Sequence, residues 1–493
     1  MTIKVQANHR YIDEIQSVAQ IFFPHARFGD DAPEYTIASY FEDGKVYAEI
    51  EPSVIAGLTR NLLSLGEDYT IAGQSRNDGQ LKHSIDLTGW PAYLNEKRLA
   101  MLAMYRLLQS AIGAYAPWGA LTGVRPTKMV REWLANGQSD DDVIYDLQSI
   151  FSVHEDRAKL ATAVAHAENR LAEIINDGQN IPPLGLYVSI PFCPSRCVYC
   201  SFNTSHTPWS EETQTRYIQA VIAELCALAK TPSRAGTKIS SIYIGGGTPT
   251  ALTDTLLENL LNAIQEVAAP TEYTVEAGRP DTITRSNLKI MRKYGVSRIS
   301  INPQTINDRT LEAIGRNHTT QDFLRAYAMA REEGFATINT DIIAGLPGEG
   351  PDDMHRTMQA LAALKPENIT IHTLAVKRAS KLNEQRTENA LSYALPDAGA
   401  IESQLKIAHD GCAAMGLTPY YLYRQKNMAA LFENTGYSLP GHECLYNVGM
   451  MSEVQTVLGV GAGAVSKYIE GTKITRKFNV KNPEIYIERT LSK

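Results

Sequence analysis

Three cysteines crowd into a single short stretch, Pro191-Phe-Cys193-Pro-Ser-Arg-Cys197-Val-Tyr-Cys200, at the spacing Cys-x3-Cys-x2-Cys. Thiolates prefer soft metals and iron–sulfur clusters. A structural zinc would require a fourth ligand from a second Cys or Cys/His pair; His206 is close in sequence but stands alone. A four-iron cluster held by three protein thiolates keeps one iron open, and an amino and a carboxylate group of a small molecule can chelate that iron. The remaining cysteines, Cys226, Cys412 and Cys444, are scattered, and they read as small buried hydrophobes.

Further polar and glycine-rich signals recur downstream. Ile244-Gly-Gly-Gly247-Thr248-Pro249-Thr250 permits close backbone approach to a ligand and, lacking a following Lys-Ser/Thr, is not a phosphate loop. Glu276 lies in Val275-Glu-Ala-Gly-Arg-Pro280, Gln304 in Asn302-Pro-Gln-Thr305, and Asp341 just ahead of Gly345-Leu-Pro-Gly348. Any one of these could be a turn or capping residue; together they favour a site. Leu458-Gly-Val-Gly461-Ala-Gly463 superficially suggests a dinucleotide fingerprint. It opens no strand–helix unit and no acidic residue follows at the required distance, so that reading is rejected.

The elements that must position these residues follow a regular pattern. Short β-branched runs at Leu186–Ile190, Ile239–Ile244, Tyr273–Ala277, Ser297–Ile301, Thr337–Ile343 and Asn368–Leu374 alternate with helical patterns. Those helical patterns include Gln214–Ala229, Asp254–Val267, Arg285–Tyr294, Thr320–Glu333 and Asp352–Leu364. Strands alternating with helices imply a parallel sheet, and six such units make an incomplete α/β barrel. Ligands of such folds sit at the carboxyl ends of the strands, where the motif residues fall.

Before this block, Ile12–Phe23 has helical spacing, Tyr35–Ile50 alternates around a turn at Asp43-Gly44, Glu96–Tyr115 and Ser139–Ile174 read as helix, and Gly119–Pro126 reads as a loop. The expected domains are an accessory α+β region at 1–180, a partial barrel at 181–380, and a Tyr-, Gly- and Asn-rich covering domain at 381–493. The length of 493 residues is too great for one core. A formal net charge of -7 argues against a nucleic-acid partner. The apolar stretch Leu99–Ala116 is interrupted by Arg106, Gln109 and Ser110 and reads as a buried helix, not a membrane span. Nothing at Met1–Arg10 has the layout of a signal peptide, and a cytoplasmic location is expected.

The cysteine triplet after a first strand resembles the signature of the radical S-adenosylmethionine family. The resemblance implies a 4Fe-4S cluster on Cys193, Cys197 and Cys200 that reduces S-adenosyl-L-methionine to methionine and a 5′-deoxyadenosyl radical. Tyr187-Val-Ser-Ile-Pro-Phe-Cys193, Gly-Gly-Gly-Thr-Pro-Thr250, Ile-Gly-Arg-Asn-His318, Asp341-Ile-Ile-Ala-Gly-Leu-Pro347 and Gly-Val-Gly-Ala-Gly-Ala-Val-Ser466 resemble the oxygen-independent coproporphyrinogen III oxidase (dehydrogenase) group. The N-terminal extension and Tyr421-Leu-Tyr-Arg-Gln-Lys-Asn-Met428 are similar to its HemZ-type branch.

That resemblance places Tyr187, Gly246 and Glu276 on the cluster-bound S-adenosylmethionine. It places Tyr199, Gly247, Thr248, Gln304, Arg316, Asp341, Ala375 and Val465 on a second one. It further implies oxidative decarboxylation of coproporphyrinogen III to protoporphyrinogen IX in haem biosynthesis, with a one-electron donor such as flavodoxin or ferredoxin as partner. Arg424 and Lys426 are candidates for the substrate carboxylates, because guanidinium binds carboxylate bidentately. Phe202 stands where well-studied members carry a further, non-ligating Cys, and the Cys200–Asn203 stretch is similar to haem-chaperone relatives of the same fold. A haem chaperone and a haem-modifying radical methyltransferase are therefore the alternative expectations.

Overall fold

The computed structural model describes residues 2–492 apart from 24–25, 32, 51–80, 92–93, 113–115, 177, 179–182, 201–208, 231–237, 378–379, 383, 385–394, 426–430 and 472. These residues form two compact units, Met1–Pro126 with Trp133–Leu160 and Thr127–Glu132 with Ala161–Lys493. Lys426, Phe202 and His206 lie outside the described residues. Among the described residues no helix is long and apolar enough to cross a membrane.

The first unit is built on a five-stranded sheet of β1 (Thr2–Ala7), β2 (Arg27–Phe28), β3 (Tyr35–Glu42), β4 (Lys45–Ile50) and β5 (Leu81–Asp86), in the order β2-β1-β3-β4-β5. The expected hairpin is present. Asp43 and Gly44 take φ of 47° and 72°, and this double left-handed turn matches the twist of the flanking strands. The helices Ile12–Phe22 and Glu96–Ile112 bury Ile15, Val18, Leu99, Leu102 and Tyr105, an amphipathic pattern that needs a covering sheet to be stable.

The second unit is an incomplete (β/α)6 barrel. Its parallel strands are β6 (Leu184–Ile190), β7 (Ile239–Gly246), β8 (Glu272–Val275), β9 (Arg298–Ser300), β10 (Thr337–Ala344) and β11 (Asn368–Thr373), neighbours in space in their chain order. Intervening helices begin on hydroxyl N-caps at Ser210, Thr253, Thr284 and Thr319, each accepting a backbone N–H from the first turn, a bond whose loss costs about 1 kcal/mol. Their apolar faces cover one side of the strands, where Leu186, Val188, Ile242, Ile244, Val275, Ile299, Ile338, Ile369 and Ile371 are fully buried in one core.

From β8 to β11 the opposite side chains are mostly polar. Thr274, Arg298, Ser300, Asn339, Asp341, Asn368, Thr370 and His372 all face one cavity. Strands of a filled barrel carry branched apolar residues on the inner face too. The strict alternation here, as in Arg298-Ile-Ser-Ile-Asn302, leaves the interior polar and hollow.

Residues 381–493, expected as a separate covering domain, instead extend the sheet at both ends. β12 (Thr418–Tyr423) and β13 (Asn434–Ser438) add antiparallel strands beside β11, β14 (Val457–Val460) pairs parallel to β6, and β15 (Val465–Glu470) and β16 (Lys473–Phe478) continue antiparallel beyond it. The Gly-rich run at 458–463 thus ends the interior strand β14 and turns into β15, with no helix following it. Close approach explains its composition: a Cβ on Gly459 would come within 2.7 Å of the Val465 backbone. Division of the chain therefore falls between residues 126 and 161, with no break at 380, because paired strands hold the C-terminal segment in the barrel sheet.

Gly436 in β13 lies against the Tyr421 ring so closely that a Cβ would overlap it. Gly436→Ala is expected to destabilise the protein by about 1–3 kcal/mol through overpacking, read as a lower urea midpoint at unchanged slope.

Candidate active site

The six strands deliver their carboxyl ends to one cavity of about 490 Å³ that contains all three clustered thiols, Cys193, Cys197 and Cys200. What holds the thiol loop is the end of the second strand. Gly247 N donates to Ile190 O at 2.7 Å, and Thr248 N donates to Phe192 O at 2.7 Å. A Cβ on Gly247 would meet Phe192 O at 2.5 Å, and Gly246 sits at φ 111° against the Ile190 backbone. The glycine run is therefore a clasp that lets two backbones touch. Cys193 Sγ also lies 3.5 Å from Thr248 Oγ1, and burial pushes the Cys193 thiol up to about 11.

Two buried arginines hold the far side of the loop. Arg279 donates to Ser195 O at 3.2 Å and Ser195 Oγ at 3.0 Å, forms a two-pronged pair with Asp281, and reaches Cys197 Sγ at 3.8 Å. Arg316 donates to the carbonyls of Gly278 at 2.8 Å and of Asn302. The backbone around it completes the brace, with Val198 N donating to Ile314 O at 3.0 Å and Ser195 Oγ donating to Gly315 O at 3.2 Å. Ile-Gly-Arg316 thus supports the thiol loop from β9 and the following helix.

Deeper in the cavity stands an acidic pair with a histidine. Burial, helped by the charge on Asp341, lifts Glu276 from the ordinary carboxylate range to about 7. Burial acts to raise Asp341 too, but His372, with Nε2 at 3.7 Å from Asp341 Oδ2, outweighs it and keeps Asp341 below its usual value. Reciprocally, desolvation works against a charged His372 and the Asp341 carboxylate overcomes it. Gln304 adopts φ 67°, a left-handed conformation rare for a non-glycine residue and frequent at functional sites. Backbone bonds from Gln304 N to Asp341 O and from Ile343 N to Gln304 O, each 3.0 Å, fix it there. Its Oε1 is buried without a partner.

Tyr199, Gly246, Gly247, Thr248, Glu276, Gln304, Arg316, Asp341 and Ala375 all line the cavity with the cysteines. Tyr187 and Val465 do not. The Tyr187 ring stacks 6.3 Å from Tyr243, a lining residue, and 6.1 Å from Tyr446, whereas Val465 opens β15 opposite Phe478. Arg424, expected to meet carboxylates, is turned out of the cavity. Tyr421 and Tyr423 of β12 and Gln425 just after it line the cavity, and the alternating course of the chain leaves Arg424 on the other side. There it donates to Leu431 O at 3.2 Å and feels the Glu433 carboxylate, while burial lowers it to about 10. Arg279, Arg298 and His372 were missed in the sequence; the inward positions of the alternating strands, and the Gly-Arg-Pro turn after Glu276, were the signals available.

Among the described residues no three His, Cys, Asp or Glu side chains converge on a single metal ion. A cubane cluster spreads its thiolates over separate iron corners, so three thiols around one cavity, braced by two guanidinium groups, fit that donor chemistry.

Gly247→Ala is expected to break the clasp and abolish iron loading, as measured by iron content after anaerobic reconstitution, while far-UV dichroism persists. Glu276 makes a pH-dependent contribution in cluster-free protein. Because its folded value is raised from 4.5 to about 7, that contribution is fully present below pH 4.5 and is lost as pH climbs toward 7. Glu276→Gln should remove a stability decline of on the order of 1 kcal/mol per pH unit across that window, measured by urea titrations from pH 4.5 to 7.5.

A family model described as the radical SAM superfamily matches residues 187–361. The oxygen-independent coproporphyrinogen-III oxidase-like protein HemZ of Bacillus subtilis (strain 168) is 34% identical over 502 aligned residues, spanning 99% of this chain and 95% of that protein. The heme chaperone HemW of Mycobacterium tuberculosis (strain ATCC 25618 / H37Rv) is 31% identical over 310 residues, spanning 62% of this chain and 74% of that protein. In fold, the chain is similar to the solved coproporphyrinogen III oxidase HemN of Escherichia coli, a radical SAM enzyme, with a TM-score of 0.52 and 23% identity over 66% of this chain and 72% of that one. The cofactors are accordingly a 4Fe-4S cluster and S-adenosyl-L-methionine. With the thiol loop, the partial barrel and a relative aligned along nearly the whole length, the chain belongs to the radical SAM superfamily and, within it, to the HemZ family of oxygen-independent coproporphyrinogen-III oxidase-like proteins.

Proposed function

We propose that the protein is a radical SAM oxidoreductase that converts propionate side chains of coproporphyrinogen III to vinyl groups, giving protoporphyrinogen IX. One observation carries this reading: the cavity that holds the three thiols is walled on another side by flat and soft apolar groups, Tyr421, Tyr423, Met450 and Met451. The Tyr421 and Tyr423 rings lie 6.3 Å apart and 8° from parallel. Such a wall suits a broad, hydrophobic macrocycle, while the polar strand interior suits its carboxylated arms.

When bound, the cluster and S-adenosylmethionine supply a carbon radical that removes one hydrogen atom from the substrate. Each propionate must lose that hydrogen from its β-carbon, then carbon dioxide and one electron, to become an alkene. The electron passes to a one-electron acceptor, and a flavodoxin- or ferredoxin-type donor reduces the cluster. Residues of this chain bind and orient. Cys193, Cys197 and Cys200 would ligate three irons, and Gly246 would present backbone to the methionyl end beside Glu276. The unpartnered Gln304 Oε1 would accept a hydrogen bond from the nucleoside or amino end of the cofactor. Arg316, bonded to the Gly278 and Asn302 carbonyls, supports the loop that carries Tyr199.

A second reading is favoured by the HemW similarity: a haem chaperone using the same aromatic and thioether wall. Anaerobic incubation with coproporphyrinogen III, S-adenosylmethionine and a reductant separates the two. The dehydrogenase is expected to release protoporphyrinogen IX with 5′-deoxyadenosine in proportion; stoichiometric haem binding with no vinyl product would replace it with the chaperone.

A further inference from the structure

Below the level of Glu276 and Asp341, toward the amino ends of the strands, the cavity contains a cation that the cluster and its cofactor do not account for. Arg298 enters from the first residue of β9, level with Thr274 of β8 and Thr337 of β10. Its side chain lines the cavity and the residue is 4% exposed. One nitrogen, Nη1, donates to His442 O at 2.6 Å, while Nη2 is buried with no partner.

Cys444, Tyr420 and Glu272 favour the charge of Arg298 from nearby, and none of them forms an ion pair with it. Among the described residues no carboxylate pairs with it. Glu272 influences it from nearby, but that carboxylate is engaged at the start of the helix Leu445–Ser452, accepting from Leu445 N at 2.7 Å, Tyr446 N at 3.0 Å and Cys444 Sγ at 3.5 Å. A buried, unpaired guanidinium is costly. Even so, the field of its surroundings, the Tyr420 hydroxyl included, outweighs burial and keeps Arg298 firmly protonated. Beside it Thr274 Oγ1, fully buried and lining the same cavity, also has no partner. The one unpartnered guanidinium nitrogen, Nη2, and an unpartnered hydroxyl, both on residues that line the cavity, are donors that a carboxylate can accept from.

We propose that Arg298 and Thr274 form the receiving subsite for a carboxylate of the substrate, deep in the barrel interior and separate from the S-adenosylmethionine position. The inference rests on the reading of the substrate as a carboxylated tetrapyrrole: one propionate would reach down the polar barrel interior while the macrocycle stays against Tyr421 and Tyr423. Anchoring one arm fixes which other arm faces the thiol loop, so Arg298 acts as a binding and positioning residue and takes no part in bond breaking.

The test uses anaerobic, cluster-loaded protein and four probes: coproporphyrin III, its tetramethyl ester, carbon-13-labelled propionate observed by NMR, and S-adenosylmethionine. Arg298→Lys keeps the charge but loses the fork; Thr274→Val is nearly isosteric and serves even if the arginine variant loads no iron. Coproporphyrin III binding should weaken about tenfold in Arg298→Lys and severalfold in Thr274→Val. Ester binding and S-adenosylmethionine affinity should not change. Equal coproporphyrin III affinity in wild type and both variants overturns the subsite and leaves the tetrapyrrole reading intact. A loss shared by S-adenosylmethionine overturns it too, by assigning Arg298 to the cofactor carboxylate. Propionate binding that depends on Arg298, without coproporphyrin III binding, keeps the subsite and removes the tetrapyrrole reading. If wild type binds neither probe, both fall.

Discussion

The structure depends on two backbone hydrogen bonds between the ends of neighbouring strands, Gly247 N to Ile190 O and Thr248 N to Phe192 O. They form because three successive glycines let β7 approach the chain leaving β6 closer than any side chain permits. That chain runs directly into Cys193, so strand pairing, which is fixed by the burial of Leu186, Val188, Ile242 and Ile244, is converted into the position of a metal-binding loop. Arg279 and Arg316 then hold the other end of the loop, using carbonyls and the Ser195 hydroxyl. A loop of three thiols would otherwise be free to collapse or to oxidise; here it is braced from the second, third and fourth strands.

The same parallel strands create the second constraint, a polar interior in a fold usually filled with aliphatic side chains. Alternation does the sorting. Isoleucines and valines go outward under the helices, and Thr, Asn, Asp, Arg and His go inward. Asn339 links the layers, donating to Ser300 Oγ at 2.9 Å and Asp341 Oδ1 at 2.8 Å and accepting from Thr370 Oγ1 at 3.2 Å. Networks of this kind stay ordered only when their members are satisfied. Three of the cavity-lining groups that are not, Gln304 Oε1, Arg298 Nη2 and Thr274 Oγ1, are the ones proposed to meet ligand atoms.

Much of this was legible in the residues. The six strand runs and their helices emerge with boundaries within a few residues of the observed ones, because β-branched runs and hydroxyl N-caps are local signals. The cysteine loop, the glycine run, Glu276 just after β8 and Asp341 within β10 were visible for the same reason. Arg424 falls outside the cavity lining because guanidinium chemistry says nothing of which way the chain faces just after β12; one residue of register decides that, and Tyr421, Tyr423 and Gln425 take the inner side. The C-terminal segment was misread as a separate domain because pairing of β14 with β6 joins residues far apart in sequence, and no local pattern reports a partner so distant. Arg298 was overlooked because a strand-initial arginine normally points to solvent.

The chemistry requires a cluster whose fourth iron has no protein sulfur and is therefore open to the amino and carboxylate groups of S-adenosylmethionine. Electron paramagnetic resonance of the anaerobically reconstituted, dithionite-reduced protein, recorded with and without S-adenosylmethionine labelled with nitrogen-15 at its amino group, addresses this directly. A reduced 4Fe-4S signal whose g-values move on cofactor addition, with a hyperfine coupling to the labelled nitrogen, is the predicted result. An unchanged signal with no coupling, or a protein that takes up tetrahedral zinc in place of iron, would contradict it.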